Sequence, residues 1–190
     1  MKLFSHLALL LLVFCVFAGA QTKRQHPATY VDKGACPFEC CMYRRWKTLK
    51  NTTAYASPDK RSKRVGTFKK GTTVRGLTGE VRTLTPGKFV VRRDHDKYHY
   101  EDVLWVYTPL GEGFYKVWFK GRMIQESLNF MSGPVNDNSP SCVETPDCWG
   151  ELEVPLKTVW WVKVRSHAGW IGWTTLACCT ACRGALICNS

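Results

Sequence analysis

Three groups of side chains in this sequence have the types and spacing to do chemistry. The first is Asp94-His95-Asp96-Lys97-Tyr98-His99-Tyr100-Glu101-Asp102. On a strand or turn, His95, His99 and a carboxylate there could hold a zinc or copper ion. The second is cysteine. Cys36-x-x-x-Cys40 and Cys179-Thr180-Ala181-Cys182 have spacings a zinc site accepts, and the latter is also the CxxC of thiol oxidoreductases. The third is Val159 to Trp173, where Trp161, Lys163 and Arg165 alternate with Trp160, Val162 and Val164. An indole beside cations can stack on a sugar ring or a peptide while the charges hold an acid.

Each group has a plainer explanation. A polar connection between Val91 and Val103 needs no metal to account for it. The CxxC lies at the tail of a strand-rich chain, not at the mouth of a strand–helix turn, and oxidation would turn it into a bridge. His167 sits in a turn, where a solvated imidazole is expected. A Cys–His hydrolase would need a free thiol near His95, His99 or His167. There is no Gly-x-Ser-x-Gly, no His-Glu-x-x-His and no phosphate-cradling Gly-rich loop. The expectation is a protein that binds rather than catalyses, with no catalytic residue, metal or cofactor assigned. The alternative is a metal- or thiol-dependent protein using the His95/His99 loop or the Cys179–Cys182 pair.

The elements that carry these residues follow from the start of the chain. Lys2, the apolar run Leu7 to Ala18 and the small-x-small site Ala18-Gly19-Ala20 read as a signal peptide over 1–20, so the mature protein begins at Gln21 and is secreted or periplasmic. No other segment is apolar for long enough to span a bilayer. Residues 21–190 carry 26 Lys and Arg against 15 Asp and Glu, a formal charge of +11. That balance draws the protein to polyanions without fixing its fold, and no specific nucleic acid is expected. The bases concentrate between Lys47 and Arg75.

Nine cysteines remain in the mature chain: Cys36, Cys40, Cys41, Cys142, Cys148, Cys178, Cys179, Cys182 and Cys188. In an oxidising compartment these are disulfide candidates. The odd count leaves one thiol free or bridging two chains as a dimer.

The mature chain reads as all-β. Gln21 to Lys33 is polar and aperiodic, a loose lead-in. From Thr48 the chain is short strands broken at close intervals by Ser57-Pro58-Asp59, Lys69-Lys70-Gly71 and Thr85-Pro86-Gly87. Val103 to Tyr107 and Phe114 to Gly121 have strong β character, and Ser132 to Asp147 has the composition of an exposed loop. Val159 to Trp173 alternates with period two on either side of Ser166-His167-Ala168-Gly169, which predicts a hairpin. Gly172 between two bulky residues predicts a close backbone approach or a bulge. Trp161 shares parity with Lys163 and Arg165 and is expected outward, as is one of Trp170 and Trp173.

Thr48-Leu49, Ala54-Tyr55-Ala56-Ser57-Pro58-Asp59 and Val65-Gly66-Thr67-Phe68-Lys69-Lys70-Gly71-Thr72-Thr73-Val74 resemble the first half of a bacterial SH3-like (SH3b) domain, and Trp160 to Leu176 resembles the second half. The resemblance implies a small SH3-like barrel over 47–176, split by a long β-rich insertion at about 81–156. Because Phe114 to Gly121 also resembles a second-half strand, the insertion admits a second SH3-like barrel. A Cys-rich lead-in (21–46) and a Cys-rich tail (177–190) flank the barrel. Chain ends that meet beside the barrel imply bridges from the early cysteines to the late ones; Cys142 and Cys148, if they pair, would staple part of the 132–147 loop. SH3b modules often hold cell-wall peptides or glycans, so the resemblance implies a cell-wall or other envelope polymer as partner. The candidate contact residues are Trp161, Trp170, Trp173, Lys163, Arg165 and Tyr55.

Overall fold

A computed structural model describes residues 25–36, 41–128 and 148–175. The expected signal peptide, Cys40, Cys142, the late cysteines Cys178, Cys179, Cys182 and Cys188, and the 132–147 loop all lie outside the described residues. The described chain is all-β, with no helix long and apolar enough to cross a membrane.

Twelve strands form two sheets. The larger contains β1 (Tyr30–Lys33), β2 (Arg45–Lys47), β3 (Thr52–Tyr55), β4 (Arg64–Phe68), β5 (Thr73–Thr85), β11 (Lys157–Arg165) and β12 (Ile171–Thr174). Its order is β1-β5-β11-β12-β3-β4, with β2 also paired to β5. Segments 50–75 and 160–175 therefore share one sheet, as the resemblance implies. The smaller sheet runs β10-β6-β7-β8-β9, from β6 (Gly87–Val91), β7 (Val103–Gly111), β8 (Phe114–Phe119), β9 (Arg122–Ser127) and β10 (Gly150–Val154). Neither sheet closes into a barrel.

The long strand β5 organises the larger sheet. One edge pairs with β2 at Thr73–Arg75 and with β1 at Glu80–Thr83, while the other edge pairs with β11 from Arg75 to Thr85. Expected as loose lead-in, Tyr30–Lys33 is instead an edge strand. Its four residues are too few to show a period, and β5 supplies the pairing that holds them. The β11–β12 hairpin forms where the alternation predicts it. Ser166 N donates to Trp170 O at 2.8 Å, and Gly169 takes φ +89°, a conformation that glycine adopts without strain. A Cβ on Gly172 would come within 2.6 Å of Val65 and 2.9 Å of Ala54, so this glycine does mark a close approach.

Each sheet buries its own apolar cluster. Trp46, Ala54, Phe68, Val74, Val162 and Val164 form the core of the larger sheet. Phe89, Val91, Tyr98, Leu104, Val106, Val117, Leu128 and Trp149 form that of the smaller. Tyr107, fully buried, ties the two sheets together. Its carbonyl accepts from Thr83 Oγ1 of β5 at 2.6 Å, and its ring meets Tyr30 of β1 edge-on at 5.7 Å. Its hydroxyl donates to Pro27 O at 2.6 Å and lies 3.1 Å from His26 Nδ1, while the imidazole stacks on Trp105 at 3.7 Å.

The cysteines correct one expectation. Cys36 is bridged to Cys41, with Cα atoms 5.5 Å apart, so these two early cysteines pair with each other and not with the late cluster. The physical reason is proximity. Ala35 O, next to Cys36, accepts from both Tyr43 OH, two residues past Cys41, and Trp160 Nε1, so the residues flanking the two cysteines are held together. Cys148 is also disulfide-bonded.

A candidate anion-binding sheet face

The inner face of the larger sheet carries Trp46, Val74, Val162 and Val164, and the strand period of two sends the residues between them to the opposite face. Partners directly opposite in an antiparallel pair share a face. The register then builds two rows across the outer surface. One runs Arg45–Arg75–Arg165–Ile171 over β2, β5, β11 and β12. The other runs Thr78–Lys163–Trp173–Tyr55–Arg64 over β5, β11, β12, β3 and β4. Lys163 and Arg165, two residues apart on β11, join the rows.

Four of the six expected contact residues come together in this way: Tyr55, Lys163, Arg165 and Trp173. Arg165 is exposed, and the other three are half-buried. Lys163 Nζ stands 5.9 Å from the centre of the Trp173 ring, within cation–π range. Trp161 has the expected parity but not the expected exposure. It is only 4% exposed, packed edge-to-face against Tyr55 at 6.0 Å and paired with the buried Glu80. Trp161 is a support under the aromatic shelf rather than part of its accessible surface. Trp170 belongs to the other side of the sheet: it stacks on buried Phe68 at 4.6 Å and covers Gly66, where a Cβ would come 2.8 Å from the indole. It packs against the core because the turn brings it over β4.

Charge is divided between the sheets. Residues 30–33, 41–83 and 157–175 hold sixteen Lys and Arg and three Asp and Glu; residues 87–128 and 150–154 hold seven and eight. Two of the three acids of the first group are engaged with cations, and the third, Asp32, lies opposite Val81, six residues along β5 from Arg75. Asp59 takes Arg61 at 3.0 Å, and those guanidinium hydrogen bonds hold its carboxyl below the usual range. Glu80 takes Arg82 at 2.5 Å. Among the described residues, Arg45, Arg75 and Arg165 have no ion-pair partner. The smaller sheet neutralises itself: Arg92 contacts Glu101, Glu151 and Glu153, Lys88 takes Glu153 at 2.6 Å, and Lys120 takes Asp102 at 3.1 Å.

The reactive-looking loop of β6–β7 has a different arrangement from a metal site. The His95 ring stacks on Trp149 at 4.7 Å, while His99 is exposed with Nδ1 3.8 Å from Asp94. Among the described residues no three of His, Cys, Asp and Glu are grouped as a metal centre would need. Tyr98 is buried against Trp149 and donates its hydroxyl to Glu126, which Lys97 also contacts at 3.0 Å. Burial and then the Glu126 carboxylate raise the phenol far above its usual range. Burial alone would raise Glu126 too, but the hydrogen bonds from Tyr98 and Lys97 prevail and its carboxyl is lowered. This is a structural lock on β9.

Arg45 and Arg75 escaped the sequence reading. A usable signal was present in Arg45-Trp46-Lys47 and Thr73-Val74-Arg75, each a polar–apolar–polar triplet, but three residues are too few to establish a period without knowing the partner strand. What the assembled face offers chemically is donors and aromatic surface. Guanidinium and ammonium groups can hold oxyanions beside rings that accept a sugar or another flat group. No family model, no curated protein and no solved structure matches this chain.

Proposed function

We propose that this is a non-catalytic binding protein that takes an extended anionic polymer on the outer face of its larger sheet. The observation that carries the reading is the exposed row Arg45–Arg75–Arg165, which has no acidic partner among the described residues and lies beside the Lys163–Trp173–Tyr55 shelf. Side chains on adjacent strands repeat at about 4.8 Å, a spacing that suits a linear polymer laid across the strands. The resemblance to SH3-like modules, with the larger sheet read as an opened form of that barrel, and the N-terminal signal-like segment favour a secreted or periplasmic protein. They also favour a cell-wall or other envelope polymer as its partner.

The test is retention of the full-length protein on purified cell-wall polymer at moderate salt. Trp173→Ala and Arg165→Gln should each reduce retention, because one removes the shelf and the other a cation. Trp161→Ala is a poorer probe, since it also removes a buried support. Retention that survives Trp173→Ala unchanged and vanishes with salt would reduce the reading to generic charge attraction.

A further inference from the structure

The row of three arginines has a physical cost. Arg45 lies directly opposite Arg75, and Arg75 directly opposite Arg165, on three adjacent strands. Like charges in directly opposed cross-strand positions are destabilising. With strands about 4.8 Å apart, the three stems rise from a line roughly 10 Å long. All three side chains are exposed. The residues next to them on the same face add Lys47 and Lys163 and no acid.

The base under this row is rigid. On the inner face of the same strands, Trp46 pairs with Val74 and Val164 with Gly76, all buried. The Trp46 indole donates to Met42 O at 3.0 Å. Asp59 and Glu80 are engaged by Arg61 and Arg82, and among the described residues no acid pairs with the row.

From these observations we infer that Arg45, Arg75 and Arg165 form a subsite for a phosphate or sulfate ester group of the bound polymer. A guanidinium is a planar fork that binds carboxylate or phosphate oxygens bidentately, where a lysine would be only a point charge, so the number of oxygens offered decides which group fills all three forks. Three adjacent forks offer more donors than one carboxylate, with two oxygens and a single charge, can take up. A phosphate or sulfate monoester presents three unesterified oxygens, one more than a carboxylate or a phosphodiester, and so can take a donor from each of the three arginines. The inference rests on the proposed polymer-binding role and specifies which polymer chemistry the face prefers.

The experiment compares binding of the full chain to three polymers of matched length and charge density: a dextran bearing phosphate monoesters, a sulfated dextran and a carboxymethylated dextran. The wild type should bind the phosphate or the sulfate polymer at least about tenfold more tightly than the carboxylate one, and whichever is preferred identifies the ester. Arg75→Gln and Arg75→Lys should both bring that ratio close to one, the lysine variant because it keeps the charge but loses the fork. Trp173→Ala should weaken all three alike. Arg75 is exposed, and a melting temperature equal to or above that of the wild type shows that its variants are folded. Equal binding of ester and carboxylate polymers by the wild type, or a preference that survives Arg75→Gln, overturns the subsite and leaves the polymer-binding role standing. Failure to bind any of the three overturns both.

Discussion

Gly76 of β5 lies under the ring of Trp46, so closely that a Cβ built on it would come 2.8 Å from the indole carbons. Trp46 is the largest fully buried side chain of the larger sheet's core, and its ring position depends on that missing methyl. Gly76→Ala should therefore destabilise the protein by about 1–3 kcal/mol through overpacking. Urea unfolding followed by tryptophan fluorescence measures this; unchanged stability would mean that the indole moves aside freely.

The Tyr98–Glu126 contact predicts a pH dependence. The folded-state carboxyl of Glu126 is lowered from its ordinary value of 4.5. Its contribution to stability is therefore present above about pH 4.5 and is lost as the pH falls through the lower folded value. Tyr98→Phe removes a buried donor to that carboxylate. It should cost about 2 kcal/mol at neutral pH and flatten the loss of stability on the acid side. Melting temperatures of the two proteins between pH 3 and pH 7 should converge as the pH drops, and curves that stay parallel would contradict this account.

Ahead of the first strand, His26 stacks on Trp105 and reaches Tyr107, so the N-terminal segment is fastened to the smaller sheet. His26→Ala should cost about 1 kcal/mol of local stability, the usual worth of an aromatic pair. Faster amide exchange at Tyr30–Lys33, with the smaller-sheet core unchanged, is the expected pattern. Uniform exchange across both sheets would show that the contact holds nothing in particular.

Binding through the arginine row should show the salt dependence of counterion release. Arg165→Gln should lower the slope of log affinity against log salt by about one, whereas Trp173→Ala should weaken binding with the slope unchanged. Equal slopes for all three proteins would place the arginine outside the contact.

Much of this architecture is legible in the residues. Alternation in Val159 to Trp173 gives the hairpin and its turn, and Gly172 announces a close approach. The parity of Trp161 is also right. Its burial is not readable, because Tyr55 and Glu80, which pack against or opposite it, come from strands about 80 to 105 residues away. Trp170 follows the same logic in the opposite direction: a residue ending a turn has no strand parity, and only β4 decides which side it takes. The Cys36–Cys41 bridge lies beside Ala35, whose carbonyl takes Tyr43 and Trp160, a tertiary contact that cysteine spacing does not show. Local pattern sets faces; distant partners set exposure.

Thr85 pairs with Lys157 at the end of the β5–β11 ladder. Residues 86–156, with the whole smaller sheet, depart and return at adjacent points of the β5–β11 ladder. The host sheet therefore sees this excursion as a hairpin loop, whose closure entropy grows only slowly with length. An excursion joined in that way can change length without moving the register beneath it, provided that the contacts of Tyr107 with Thr83 and Tyr30 are kept.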